Sequence, residues 1–257
     1  MIKVLLQKIV PRFLLRRYKE FRYYQLLRDY DINDQPDLLV AKELVSKEST
    51  FIDIGENVGL YTRFLSPEVS KVFSFEPVPF TFDILSNNME RFKLDNVELH
   101  QVAISNSNGE SIIEVPIYGG TRNYFRASLR KDCSDISSDM QFTIQTKTID
   151  TLFIDKADAI SLVKYDVEGH ELNCIKGASE FLKKSDAAWL IEISESPDDT
   201  SSSGFKVVQL MEQHGFQTYL FEENSLRPRK PGDNSVNYFF LKEHHLNTLG
   251  VCRTFWG

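Results

Sequence analysis

Cysteine is scarce: Cys133, Cys174 and Cys252 are the only three in 257 residues, and none shares a CxxC or Cys/His ligand spacing. Neither a disulfide framework nor a zinc site is indicated, and a reducing compartment is the simplest setting. No apolar run approaches the roughly 18 residues needed to cross a bilayer. The amino terminus opens like a signal peptide, with Lys3 before an apolar stretch. Gln7, Lys8 and Arg12 interrupt that stretch and no small-residue cleavage site follows, so a soluble, unprocessed, cytoplasmic chain is expected. Internal repeats are absent, and so is any GxGxxG dinucleotide turn.

What remains suits one large α/β domain with an appendage. The chain is 42% hydrophobic and 26% charged, which excludes collagen and wholesale disorder. Its net charge of −7 argues against nucleic-acid partners. That charge is uneven: residues 1–28 hold eight bases against Glu20, a net +7, and the remainder holds 36 acids against 22 bases, a net −14. We expect a basic amphipathic helical extension over residues 1–35 and a catalytic-type domain over 36–257. The extension has two readings. It is a helical cap on the sheet, or a peripheral contact with an anionic membrane through Phe13, Leu14, Tyr18 and Phe21.

From residue 36 the pattern alternates. Helices are expected at 36–47, 59–65, 78–92, 170–183 and 205–214, and strands at 51–54, 71–75, 97–104, 111–117, 141–147, 160–165 and 187–193. Residues 216–221 and 236–241 should pair as closing strands. Residues 118–140 read as an irregular excursion. Such alternation predicts a doubly wound, mostly parallel sheet, whose ligands bind at the strand carboxyl ends.

The first strand ends in Asp53-Ile54-Gly55-Glu56-Asn57-Val58-Gly59. An acid inside the strand end suits a cationic or amino-bearing ligand better than a pyrophosphate, and amides near Gly55–Gly59 would meet a ligand carboxylate. Glu76-Pro77 ends the second strand, at a spacing suited to accepting ribose hydroxyls. After strand 160–165 come Asp166, Glu168, His170 and Glu171, a candidate polar site. Glu168 and Glu171 also suit a helix start, and His170 is read as either a general base or a cap. Asp166, Glu168 and Glu192 could offer oxygens to magnesium, but no spacing demands it, and no metal is expected.

Taken in order, FIDIGENVGLYT (51–62), VFSFEPVPFTFDILSNN (72–88), VELHQVAISNSNGE (97–110), TIDTL (148–152), LVKYDVEGHEL (162–172), IKGASEFL (175–182) and WLIEIS (189–194) resemble the FkbM-like methyltransferases. The resemblance implies a Rossmann-like fold of the class I methyltransferase type. It also implies S-adenosylmethionine as cofactor and O-methylation of a hydroxyl on a small-molecule or glycan acceptor, such as a bacterial surface polysaccharide or glycolipid. Carried over by position, Asp53, Gly55, Glu56, Asn57, Gly59 and Thr62 line the methionine side, although Glu56 replaces a usually small residue. Glu76 and Pro77 clamp the ribose, and Ala103, Ile104 and Ser105 flank the adenine. Asp166 faces the cleft, and Asp166, His170 and Glu168 are the candidate bases. Tyr124, Phe125, Arg126 and Arg130 would recognise the acceptor. A non-catalytic Rossmann-like binding domain is the alternative; an NAD-dependent oxidoreductase would want the missing glycines.

Overall fold

A computed structural model describes residues 12–115, 141–223, 225–233 and 235–249, with short strands at 117–118, 121–122 and 128–129 between them. Tyr124, Phe125, Arg126, Arg130, Cys133 and Cys252 lie outside the described residues, as does the side chain of Phe13.

Apolar runs build the centre. Strands β1 (Thr50–Ile54), β2 (Lys71–Phe75), β3 (Val97–His100), β10 (Ile160–Tyr165) and β11 (Ala188–Glu192) pair in parallel in the order β11-β10-β1-β2-β3. The antiparallel β14 (Asn237–Leu241), β12 (Gln217–Glu222) and β13 (Ser225–Pro228) extend the β11 edge to complete an eight-stranded sheet. This is the Rossmann-like, doubly wound architecture expected, with its strand order reversing between β1 and β10.

Because side chains alternate across a strand, the central strands are apolar on both faces. Ile52, Phe73, Val163, Tyr165 and Trp189 pack to one side with α6 (Glu171–Lys176), α7 (Ser179–Lys184) and α8 (Ser203–Gln213). Phe51, Val72, Leu162 and Leu190 pack to the other with α2 (Pro36–Glu43), α3 (Leu60–Leu65) and α9 (Glu243–Leu249). The basic helix α1 (Arg12–Arg28) lies on α4 (Pro79–Phe92): Tyr24 and Phe92 sit 4.9 Å apart, and Arg16 pairs with Asp83.

Several elements depart from the sequence pattern. The strand expected over 97–104 divides, since β4 (Ala103–Ile104) leaves the main sheet to pair with β9 (Gln141–Lys147) in a second sheet with β5 (Gly109–Glu114) and β8 (Ser128–Leu129). Within the excursion expected to be irregular, β7 (Thr121–Arg122) pairs with β6 (Ile117–Tyr118). The helix expected over 170–183 is two helices, divided at Gly177, where a Cβ would stand 2.0 Å from the Ser105 carbonyl oxygen. The TIDTL segment is structural. Thr148 caps α5 (Ile149–Phe153) by accepting from the Thr151 N–H, and Asp150 accepts from the Phe181 N–H (2.7 Å) at the start of α7.

Candidate functional site

Register places the polar groups in two tiers at the reversal point. Asp53 is opposite Lys164 on β10 and Ser74 on β2; side-chain alternation puts all three on the face covered by α3. Two residues further along, the carboxyl rim is formed by Gly55, Glu76, Asp166 and, at the end of β11, Glu192. The Asp166 N–H still donates to the Ile54 carbonyl (3.0 Å) and Glu76 N–H to that of His100 (3.1 Å), so the rim continues the ladder.

The inner tier is closed. Asp53 is 0% exposed, and the Thr62 hydroxyl donates to its Oδ2 at 2.9 Å. Its Oδ1 has no hydrogen bond and lies 3.8 Å from Lys164 Nζ. The ammonium also lies 3.5 Å from Asp166 Oδ2 and 4.8 Å above the Tyr61 ring. Burial alone would lower the Lys164 pKa, but Asp166, Asp53 and Glu56 outweigh it and hold it above the ordinary lysine value. Glu56 is buried too and accepts from the Thr62 N–H (3.0 Å), capping α3; burial and the nearby Asp53 push its carboxyl well upward.

These contacts reassign several expected roles. The cation that Asp53 faces is the chain's own Lys164, a residue missed in the sequence, where its signal was a lone charge inside the apolar run ISLVKY. Thr62, 0% exposed, supports Asp53 through its hydroxyl. The turn amides are largely committed: Gly55 and Glu56 donate to the Phe75 carbonyl, Asn57 to Glu76 Oε2 (3.1 Å), and Gly59 to the Glu56 carbonyl. Within the row expected to meet a ligand carboxylate, these four amides are thus engaged inside the chain. Gly55 is required by a close approach, because its Cβ would lie 1.7 Å from the Asp166 carbonyl oxygen at φ 76°. At Gly59 a Cβ would meet Met89 at 2.4 Å.

Glu76 keeps a place on the rim. Its Oε1 accepts from Val78 N–H (2.8 Å) beyond the half-buried Pro77, and burial still raises its pKa to about 8 against both amide donors. Ala103, Ile104 and Ser105 are buried where β4 joins the second sheet. His170 is buried as well. Its Nε2 is 2.9 Å from Ser105 Oγ and its Nδ1 3.3 Å from Asn173 Nδ2, which ties the segment after β4 to α6 and engages both ring nitrogens. Glu168 takes a left-handed conformation (φ 50°) in the turn after β10.

Glu192 stands apart. It is half-buried at the end of β11, one step past the registered pair Tyr165–Ile191, and its carboxylate has no hydrogen bond or ion pair among the described residues. Burial first, then Asp166, raises its carboxyl pKa to about 7. Among the described residues no group of three His, Cys, Asp or Glu is arranged to hold a metal ion. A phosphate-free ligand bearing a sulfonium and a ribose fits this donor set. Acceptors dominate the rim, the Asn57 Oδ1 is buried without a partner, and the nearby cation Lys164 is enclosed by carboxylates.

Comparison with known proteins agrees with this architecture. The chain is 29% identical over 162 residues to a hexuronic acid methyltransferase of Haloferax volcanii, a match covering 62% of each chain, so it spans less than two thirds of that relative. It is 22% identical over 228 residues to Methyltransferase 1 of Beauveria bassiana, covering 75% of this chain and 88% of the relative. The solved FkbM methyltransferase of Methylobacillus flagellatus superposes with a TM-score of 0.50 at 17% identity, covering 76% of this chain and 44% of that one. The family model for the methyltransferase FkbM domain matches residues 53–218, well over half of the sequence, and the chain belongs to that family.

Proposed function

We propose that the protein is an S-adenosylmethionine-dependent O-methyltransferase acting on a hydroxyl, with a sugar as the acceptor class. The supporting observation is the rim of Glu76, Asp166 and Glu192 above an enclosed Lys164, an acceptor-rich edge that suits a cationic cofactor and disfavours a dinucleotide pyrophosphate. The sugar rests on the hexuronic acid named for the Haloferax relative.

When bound, S-adenosylmethionine supplies an electrophilic methyl group on a cationic sulfur. Glu76 accepts ribose hydroxyls while its backbone bonds hold the turn. Asp166, fixed by Lys164, faces the reacting region. Orientation of the acceptor oxygen supplies most of the acceleration, on the order of 7–11 kcal/mol for well-aligned reactants. Glu192 receives the hydroxyl proton; it takes this role ahead of Asp166 and Glu168 because it is half-buried without a partner, and ahead of His170 because that ring is engaged. Calorimetric titration tests the reading. S-adenosylhomocysteine should bind and NAD should not. Binding of neither would favour a domain that keeps the fold without the activity, and binding of NAD alone an oxidoreductase.

A further inference from the structure

Six large apolar side chains stay exposed among the described residues, and four belong to helix α1: Leu14 (46%), Tyr18 (59%), Phe21 (45%) and Leu26 (54%). Clustering on one 17-residue helix is unlike the scatter expected of an ordinary surface. Leu14, Tyr18 and Phe21 recur at helical spacing and form one stripe.

The opposite face of α1 is already occupied. Leu27 is buried, the Tyr24 ring packs tilted against Phe92, and Arg16 joins Glu20 to Asp83. The stripe is thus the outer face of a helix docked on the domain by its other side. Its borders are cationic: Arg17 and Arg22 are exposed and have no carboxylate partner among the described residues, whereas Arg16 and Arg28 are paired with acids. Among the described residues no helix is long and apolar enough to cross a membrane, so an apolar stripe between arginines would lie along a surface.

We propose that the outer face of α1 docks on an anionic lipid bilayer, with Leu14, Tyr18 and Phe21 entering the headgroup region and Arg17 and Arg22 contacting lipid phosphates. Charge selects this occupant. The stripe lies in the +7 arm of a chain whose remainder is −14, so an anionic surface attracts this face and repels the rest, orienting the molecule. The inference is independent of the proposed methyl transfer.

The test is co-sedimentation of full-length protein with vesicles of phosphatidylcholine alone or mixed with phosphatidylglycerol. Binding should appear only with the anionic lipid and fall with salt. Arg17→Gln with Arg22→Gln should weaken it roughly 25-fold, at about fivefold per cation near an anionic surface. Tyr18→Ser with Phe21→Ser should weaken it further; thermal denaturation should show the arginine variant matching the parent and the second at most slightly less stable, since the Phe21 ring meets the domain at the Arg91 guanidinium, 6.0 Å from its centre. Absence of vesicle binding, equal binding to both lipids, or equal binding by all variants overturns the proposal. If the parent ignores vesicles but is dimeric by light scattering, and Tyr18→Ser with Phe21→Ser makes it monomeric, the face is a self-association surface instead.

Discussion

Substituting Lys164 by methionine would keep the volume of the side chain and delete its charge, leaving Asp53 uncompensated. Asp53 is fully buried; its Oδ2 retains the Thr62 hydroxyl, while its Oδ1 has no hydrogen bond and only the ammonium at 3.8 Å. Breaking a buried pair by removing one partner costs about 3–5 kcal/mol, because the remaining charge has lost both water and counter-ion. At roughly 2–4 °C per kcal/mol for a chain of this size, the melting temperature should fall by about 6–20 °C. The low end is favoured because Asp166, the second partner, is a third exposed and can turn to solvent. Calorimetry at neutral pH on the parent, Lys164→Met, Asp53→Asn and the double variant separates the pair from simple packing. Removing both charges should recover most of the loss. A Lys164→Met cost below about 1 kcal/mol, or a double variant no more stable than Lys164→Met, would refute the argument that this ammonium exists to hold Asp53.

Three further outcomes are expected. With an active acceptor in hand, kcat/KM should rise with pH through about 7 as Glu192 ionises; Glu192→Gln should lose that limb and about 10²–10⁴-fold in rate while S-adenosylhomocysteine affinity is kept, and a retained limb would remove Glu192 from the role. Glu76 has a folded pKa near 8 against an ordinary 4.5, so the folded state holds the extra proton between those values and stability falls as pH rises across them. Urea denaturation at pH 5 and pH 8 should show that fall in the parent and a flatter dependence in Glu76→Gln. Gly55→Ala should destabilise by more than the about 1–3 kcal/mol of a left-handed residue, since its Cβ would also meet the Asp166 carbonyl at 1.7 Å; parental thermal stability would show that the ends of β1 and β10 do not pinch there.

Where local pattern and tertiary environment coincide, the fold was readable. The apolar runs of β1, β2 and β10, each closed by a glycine or proline turn, can only be buried parallel strands, and Pro36 and Pro79 open their helices as their fixed φ favours. Long-range geometry was not readable. Gly177 stands where the helix divides, and a Cβ there would collide with the Ser105 carbonyl, an approach between segments 72 positions apart. The edge strand Ser225–Pro228 has neither an apolar run nor alternation, because an edge needs little burial and tolerates its proline. Strand 141–147 was recognisable, but 103–104 was read as the end of a single strand 97–104, and the pairing of the two in a second sheet depends on where the chain leaves the first.

The candidate site shows the same division in chemical terms. Strand-end position identified the acids but read Asp53, like Glu76 and Asp166, as facing a ligand. Register separates them. Asp53 lies one tier below the rim, opposite a lysine, and its charge is answered within the chain; Glu76 and Asp166 lie on the rim. A carboxylate in an apolar strand must have a counter-charge or give up its ionisation, and Lys164 is the residue that β10 brings opposite it. The consequence reaches upward, since the same ammonium touches Asp166. An ion that looks like core architecture therefore also sets the orientation of a rim carboxylate, and stability and ligand affinity should change together at Lys164. At Glu192, which rests on no such pair, they should change separately.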